Sequence, residues 1–267
     1  MRDTKKSIIA FLIICFALSS IFYVLIINYQ IMNMANLLMW CPGVAAIIVK
    51  LLYHRDEKIF NLKKFKLKYV LVGIGIPLLY SLLSYGFYLI LRGNDVISGK
   101  TVGTLLSQPL ILLLYITIFF ITALGEEIGW RGFLNREMFK LFGYRRGAFF
   151  TGCIWAVWHL PLIVTGYVSS IPIGYQVPIY VIQCIAMSYP MSYLSLKSKS
   201  VWPAAFFHFT HNFVIQILLD QSISGKNKPY LVGETGILTI AIILIICYIY
   251  AKKSLDEMEE NQVLENR

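Results

Sequence analysis

Residues 109–131 read PLILLLYITIFFITALGEEIGWR, and this stretch decides the fold. From Pro109 to Gly125 it carries no charge; two adjacent carboxylates, Glu126 and Glu127, follow, and then Arg131. The run is close to the ~20 residues that a membrane-spanning helix needs. A charge moved toward hydrocarbon loses its hydration, so ionisable residues placed there are functional candidates by default. Two further apolar runs each carry a histidine: His159 in IWAVWHLPLIV and His208 in WPAAFFHFTHNFVIQIL. Carboxylates and histidines gathered inside a helix bundle suit water activation, metal binding or proton transfer.

The rest of the chain extends the same pattern. Of 267 residues, 58% are hydrophobic and only 14% are charged, and the mean hydropathy is +0.68. Soluble domains average roughly 45–50% apolar and about 25% charged residues. The composition therefore predicts an all-α polytopic membrane bundle, folded as a single transmembrane domain over residues 1–267. Cys15, Cys41, Cys153, Cys184 and Cys247 all lie in apolar segments with no paired spacing. They read as small buried hydrophobes, not as disulfides or a thiolate metal site.

About eight transmembrane helices can be laid out: Ser7–Ile27, Met34–Tyr53, Tyr69–Leu91, Leu110–Trp130, Gly147–Gly166, Pro178–Leu196, Val201–Leu219 and Thr235–Tyr250. The first follows a basic N-terminus but is too long for a signal-peptide core, and no small-residue cleavage site follows it. It is expected to be a retained span. With the N-terminus cytoplasmic, the inside segments hold 20 of the 24 Lys and Arg residues. Only Arg92, Lys100, Lys226 and Lys228 fall outside. This bias predicts that both termini are cytoplasmic. It also accounts for the net charge of +10 without a nucleic-acid partner, and the basic Lys63–Lys68 region reads as an orientation signal touching anionic lipid headgroups. The polar tail Asp256–Arg267 is expected to fray. A composition rich in Ile and Lys fits a bacterial plasma-membrane protein.

Helix geometry distributes the polar residues. Successive residues turn by about 100°, so Glu127 and Arg131, at i and i+4, share a face and can pair. Glu126 points elsewhere and is free to face a cavity. The alternative is that all three belong to a solvated cytoplasmic helix end. His159 lies about twelve residues into its span, roughly 18 Å from the cytoplasmic end, with Trp155 one turn earlier to pack on its ring. Pro161 frees a backbone carbonyl nearby, as often happens where a membrane helix lines a polar cavity. His208 and Asn212 are i and i+4, and His208 and His211 are i and i+3, so spacing alone does not choose between these pairs. The zinc-protease signature HExxH is absent, so any metal would have to be held by separate helices.

Glu126-Glu127-Ile-Gly-Trp-Arg131, Trp155-Ala-Val-Trp-His159 and His208-Phe-Thr-His-Asn212 together resemble the pattern EExxxR, FxxxH and HxxxN. This is the pattern of the CPBP family of intramembrane proteases, also called the CAAX protease and bacteriocin-processing (Abi) family. The resemblance covers a catalytic core of about residues 109–219. Trp155 departs from the family's usual Phe, which bears more on the shape of the pocket than on the chemistry. The resemblance implies an intramembrane endopeptidase acting on a membrane-bound or prenylated peptide or protein. Glu126 would be the general base for a water shared with His159, and His208 and Asn212 would stabilise the oxyanion. Glu127 and Arg131 would hold the helix end and receive the substrate backbone, while His211 stands outside the motif as packing or support. In a metal-dependent version, Glu126, His159 and His208 would instead ligate a divalent ion such as Zn²⁺. Two other classes share the same residues: a proton-coupled transporter and a non-catalytic membrane immunity or regulatory protein. The natural substrate, whether CAAX-type, signal peptide or bacteriocin-related, is not encoded in these motifs.

Overall fold

A computed structural model describes residues 2–253 apart from 56–59, 61, 63–64, 93–95, 98–99, 167–170 and 226. The tail Asp256–Arg267 and the Lys63-Lys64 pair lie outside the described residues. The apolar runs fold as helices: α1 (Arg2–Ile27), α2 (Met34–Leu38), α3 (Cys41–Tyr53), α4 (Leu67–Leu91), α5 (Lys100–Ser107) and α6 (Pro109–Glu127). After a π-helical segment (Ile128–Leu134) come α7 (Asn135–Val164), α8 (Ile173–Ser198) and α9 (Trp202–Asn212). A second π-helical segment (Phe213–Leu219), α10 (Lys228–Leu231) and α11 (Ile237–Ala251) complete the order. Val96–Ile97 and Ile223–Ser224 pair as a short antiparallel bridge between two loops, and the architecture is otherwise all-α.

Five helical stretches are long and apolar enough to cross a membrane. One of them, Pro109–Val164, runs for 56 residues and contains two crossings, because the chain breaks at Gly143 (φ 71°, ψ −177°). A positive φ of this kind is readily adopted only by glycine. Among the described residues α11 is a further, shorter apolar helix, and the architecture is that of an all-α polytopic bundle. The second expected span, Met34–Tyr53, is interrupted between α2 and α3. Pro42 sits in the first turn of α3, where its missing N–H costs nothing.

That interruption helps to place the site. A Cβ added at Gly43 of α3 would lie 2.5 Å from the Gly125 carbonyl oxygen of α6. The two helices therefore meet backbone to backbone just before Glu126. Small residues permit such close approach in membrane bundles, where packing rather than water exclusion drives association. Large side chains such as Ile90 and Leu110 remain exposed (79% and 80%), as expected of a lipid-facing surface. The polar residues are instead drawn inward, among them Glu126, Glu127, Arg131, His208 and His211.

Candidate active site

α6 ends in Glu126 and Glu127, and both carboxylates are sealed in the interior: Glu126 is 1% exposed, Glu127 0% and Arg131 3%. A solvated helix end is thereby excluded. The π-helical segment follows immediately, a local widening that is frequent at functional sites, and its residues are all buried. Through it the two carboxylates are directed to different partners.

Glu127 Oε1 accepts from Arg131 Nη1 at 2.8 Å and faces His208 Nδ1 at 2.9 Å. The other guanidinium nitrogen, Nη2, donates to Ser188 Oγ of α8 at 2.8 Å. The Arg131 guanidinium also stacks over the Trp155 ring, 4.3 Å from its centroid. Three helices and the π segment are thus tied together by one buried arginine. Neither Glu127 nor Arg131 is among the residues that line the cavity described below. The contact of Glu127 with His208 was not foreseen.

Glu126 is held differently. Its Oε2 accepts from Trp130 Nε1 at 3.1 Å and from Trp155 Nε1 at 2.9 Å. Both indoles bond the same oxygen, which fixes the carboxyl plane. Trp155 was expected only to pack on His159. It does so, with ring centroids 5.7 Å apart, and it also lies 5.4 Å from His208. His159 is further enclosed by Trp158 at 4.8 Å and Tyr180 at 5.2 Å. A single Trp155 side chain therefore touches all three principal polar groups.

Glu126, His159, His208 and Asn212 all line one cavity of about 690 Å³. That volume lies within the ~300–1,000 Å³ usual for ligand sites. His211 also reaches this cavity, but its ring is taken up by neighbours. Tyr80 Oη lies 2.6 Å from Nδ1, Gln183 Nε2 lies 3.0 Å from Nε2, and Glu234 is 3.8 Å away. This places His211 in a supporting network. The contributions of α8, Ser188, Gln183 and Tyr180, were missed at the level of sequence. The available signal was a set of polar side chains recurring within an apolar span.

The donor set was tested against the metal-dependent version. Among the described residues, no group of three His, Cys, Asp or Glu side chains is arranged to hold a metal ion. Nδ1 of His208 is bonded to Glu127 and Oε2 of Glu126 to two indoles, which leaves Nε2 of His208 and Oε1 of Glu126 as the atoms a metal would use. No catalytic step is drawn through a Zn²⁺ centre.

Residues 108–214 match the family described as type II CAAX prenyl endopeptidase Rce1-like, a range that contains every motif residue above. The chain is also similar to CAAX prenyl protease 2 of Methanococcus maripaludis, at 28% identity over 201 residues. That similarity covers 72% of this chain and 70% of the relative. Fold, buried site and both similarities point the same way: this is an integral membrane protein similar to proteases of the CPBP, or CAAX protease, family.

Proposed function

We propose that the protein is an intramembrane endopeptidase in which Glu126 activates water for attack on a peptide bond of a membrane-associated substrate. The observation that carries this reading is the attachment of both indole donors to Oε2 of Glu126 at the edge of the cavity. Oε1 is then the oxygen that takes the proton from a water held between Glu126 and His159. A general base must lie within hydrogen-bond reach of the proton it removes. His208 donates its Nδ1 proton to Glu127, so its Nε2 faces the reaction. As the imidazolium, the ring donates through Nε2 to the developing oxyanion, and the Asn212 amide adds a second donor. One such donor contributes roughly 3–4 kcal/mol in well-measured sites.

Both termini are assigned to the cytoplasm, on the distribution of basic residues, and the setting is a bacterial plasma membrane. The prenylated substrate named for the archaeal relative is one candidate class; an exported leader or bacteriocin-type peptide is another. The test is cleavage of a panel of membrane-bound and prenylated peptides by the purified protein and by Glu126→Gln, in detergent, with and without chelator. The expected result is cleavage by the wild type alone, indifferent to chelator. Equal behaviour of the two proteins would overturn the proteolytic reading, and loss with chelator that Zn²⁺ restores would overturn the metal-free step.

A further inference from the structure

Contacts between helix ends sort the described loops into two layers. In the first layer, Tyr144 donates to the carbonyls of Tyr189 and Tyr250 at 3.0 and 3.1 Å. There too Trp202 donates to the Leu62 carbonyl, and Lys253 lies 5.2 Å over the Tyr193 ring. In the second layer, Tyr85 donates to Asp220 at 2.6 Å, and Lys228 pairs with the same carboxylate at 2.9 Å. Here Tyr175 donates to the carbonyls of Tyr230 and Thr235, and the two short strands pair.

The cavity belongs to one of these layers only. From the floor at Glu126, Trp155 and His208 its lining extends to Asp220, Gln221 and Glu234 of the second layer, and to Met32 and Asn36, which follow the end of α1 opposite its N-terminus. No described residue of the first-layer loops lines it. On that side the buried Ser188–Arg131–Glu127–His208 chain closes the floor. The charge distribution names the layers. The described residues of the first-layer segments 50–68, 136–146, 197–200 and 251–253 include 12 Lys and Arg residues, against Arg92, Lys100 and Lys228 on the other side, and basic loops stay cytoplasmic.

We infer that the cavity opens on the extracytoplasmic face and receives an exported peptide segment there, rather than a tail presented at the cytoplasmic surface. The walls describe the occupant. Ile118 and Phe119 of α6 form an apolar side, while Asp220, Gln221 and Glu234 form a polar one. An amphipathic peptide with apolar residues toward α6 and polar residues toward the opposite wall matches both. The inference rests on the proteolytic reading for its chemistry, but its geometry can be read independently.

The experiment uses the full chain in right-side-out vesicles from a bacterial host, with the five native cysteines replaced by alanine. Single cysteines are introduced as Asn36→Cys, Gln221→Cys or, on the first layer, Lys252→Cys. All three positions are exposed. A membrane-impermeant maleimide is the probe. Cysteine at 36 or 221 is expected to react as fully in sealed vesicles as after permeabilisation, and cysteine at 252 only after permeabilisation. The reverse pattern would overturn the inference and place the cavity toward the cytoplasm, where a prenylated tail could reach it. A second measurement uses the unaltered chain, and so does not depend on the folding of the cysteine variants. A peptide cleaved by the detergent-solubilised enzyme is added outside sealed vesicles. Cleavage without permeabilisation is expected, and cleavage that requires permeabilisation would overturn the assignment. If Glu126→Gln matched wild type in detergent, the proteolytic reading would fail while the labelling still reported the face.

Discussion

Glu127→Gln separates the two carboxylates of the site most directly. Glutamine is nearly isosteric, and its carbonyl can still accept from Arg131 and His208. What disappears is the charge on the acceptor. Glu127 Oε1 takes two bonds, at 2.8 and 2.9 Å, and Oε2 is buried with no hydrogen-bond partner, so the new amide group would gain no partner in its place. Charge-assisted bonds contribute about 1.5–3 kcal/mol against about 0.5–1.5 for neutral ones, which makes the loss roughly 1 kcal/mol per bond and about 2 in all. Arg131, 3% exposed, is also left without its counter-charge, a situation that costs about 3–5 kcal/mol when a buried pair is broken outright. A destabilisation of about 2–5 kcal/mol is therefore expected in thermal unfolding of the detergent-solubilised protein. If all of the roughly 1 kcal/mol lost at His208 is felt in the transition state, the slowing is about 5-fold, with each further 1.4 kcal/mol worth another tenfold. The fall should lie in kcat rather than KM, because Glu127 does not line the cavity. Steady-state kinetics on a peptide substrate, run below the unfolding temperature, read both quantities. Unfolding and kcat both indistinguishable from wild type would refute the argument that Glu127 holds His208 as a buried anion.

Trp155→Phe should preserve the packing around His159 and His208 while deleting the indole donor to Glu126; kcat is expected to fall about 5–30-fold for a loss of about 1–2 kcal/mol, and a circular dichroism spectrum matching wild type would confirm that the fold is kept. Ser188→Ala leaves one buried guanidinium N–H without its acceptor, at a cost of about 1–3 kcal/mol, so thermal unfolding should shift downward together with kcat. Gly43→Val forces a Cβ to within 2.5 Å of the Gly125 carbonyl oxygen; separation of α3 from α6 should cost at least about 1–3 kcal/mol, readable as a lower unfolding temperature. Glu234 lies in a loop between spans, and burial raises its carboxyl above the usual value. Below the ordinary carboxylate range both folded and unfolded chains bind this proton, and as pH rises the unfolded chain releases it first. Stability should therefore decline with rising pH through that window, and Glu234→Gln should flatten the decline in unfolding measured across pH.

The membrane class, the crossings and the pairing of Glu127 with Arg131 were legible because each depends on local pattern: run length, charge bias between loops, and an i, i+4 spacing. The convergence of helices on the site was legible only through motifs on separate spans. What escaped were contacts that depend on how helices rotate against one another. Glu127 reaches His208 across 81 positions of sequence, and Trp155 reaches Glu126 across 29. No periodicity within one helix encodes either. The break at Met39–Trp40 was hidden for a related reason, since apolar composition is blind to a kink within a span of sufficient length.

Two adjacent carboxylates are difficult to bury together, since like charges in a low-dielectric interior repel strongly. The structure resolves this by giving them opposite surroundings. Glu127 meets a guanidinium and an imidazole, so its charge is compensated by groups that are themselves walled off. Glu126 meets two neutral indole donors and the cavity, so it is oriented without being neutralised. On the proposed mechanism Glu126 must take up and release a proton during turnover and so cannot be locked into an ion pair, whereas a residue that positions a histidine benefits from one. The order matters as well: the π-helical segment begins at Ile128, directly after the pair, and brings both Trp130 and Arg131 back onto the carboxylates that precede them. Exchanging the two positions in sequence would give the base the cation and leave His208 unsupported. The double variant Glu126→Gln, Glu127→Gln is accordingly expected to unfold at nearly the same temperature as Glu127→Gln alone and to cleave no better than Glu126→Gln alone. Stability that fell as far with Glu126→Gln as with Glu127→Gln would contradict this division of labour.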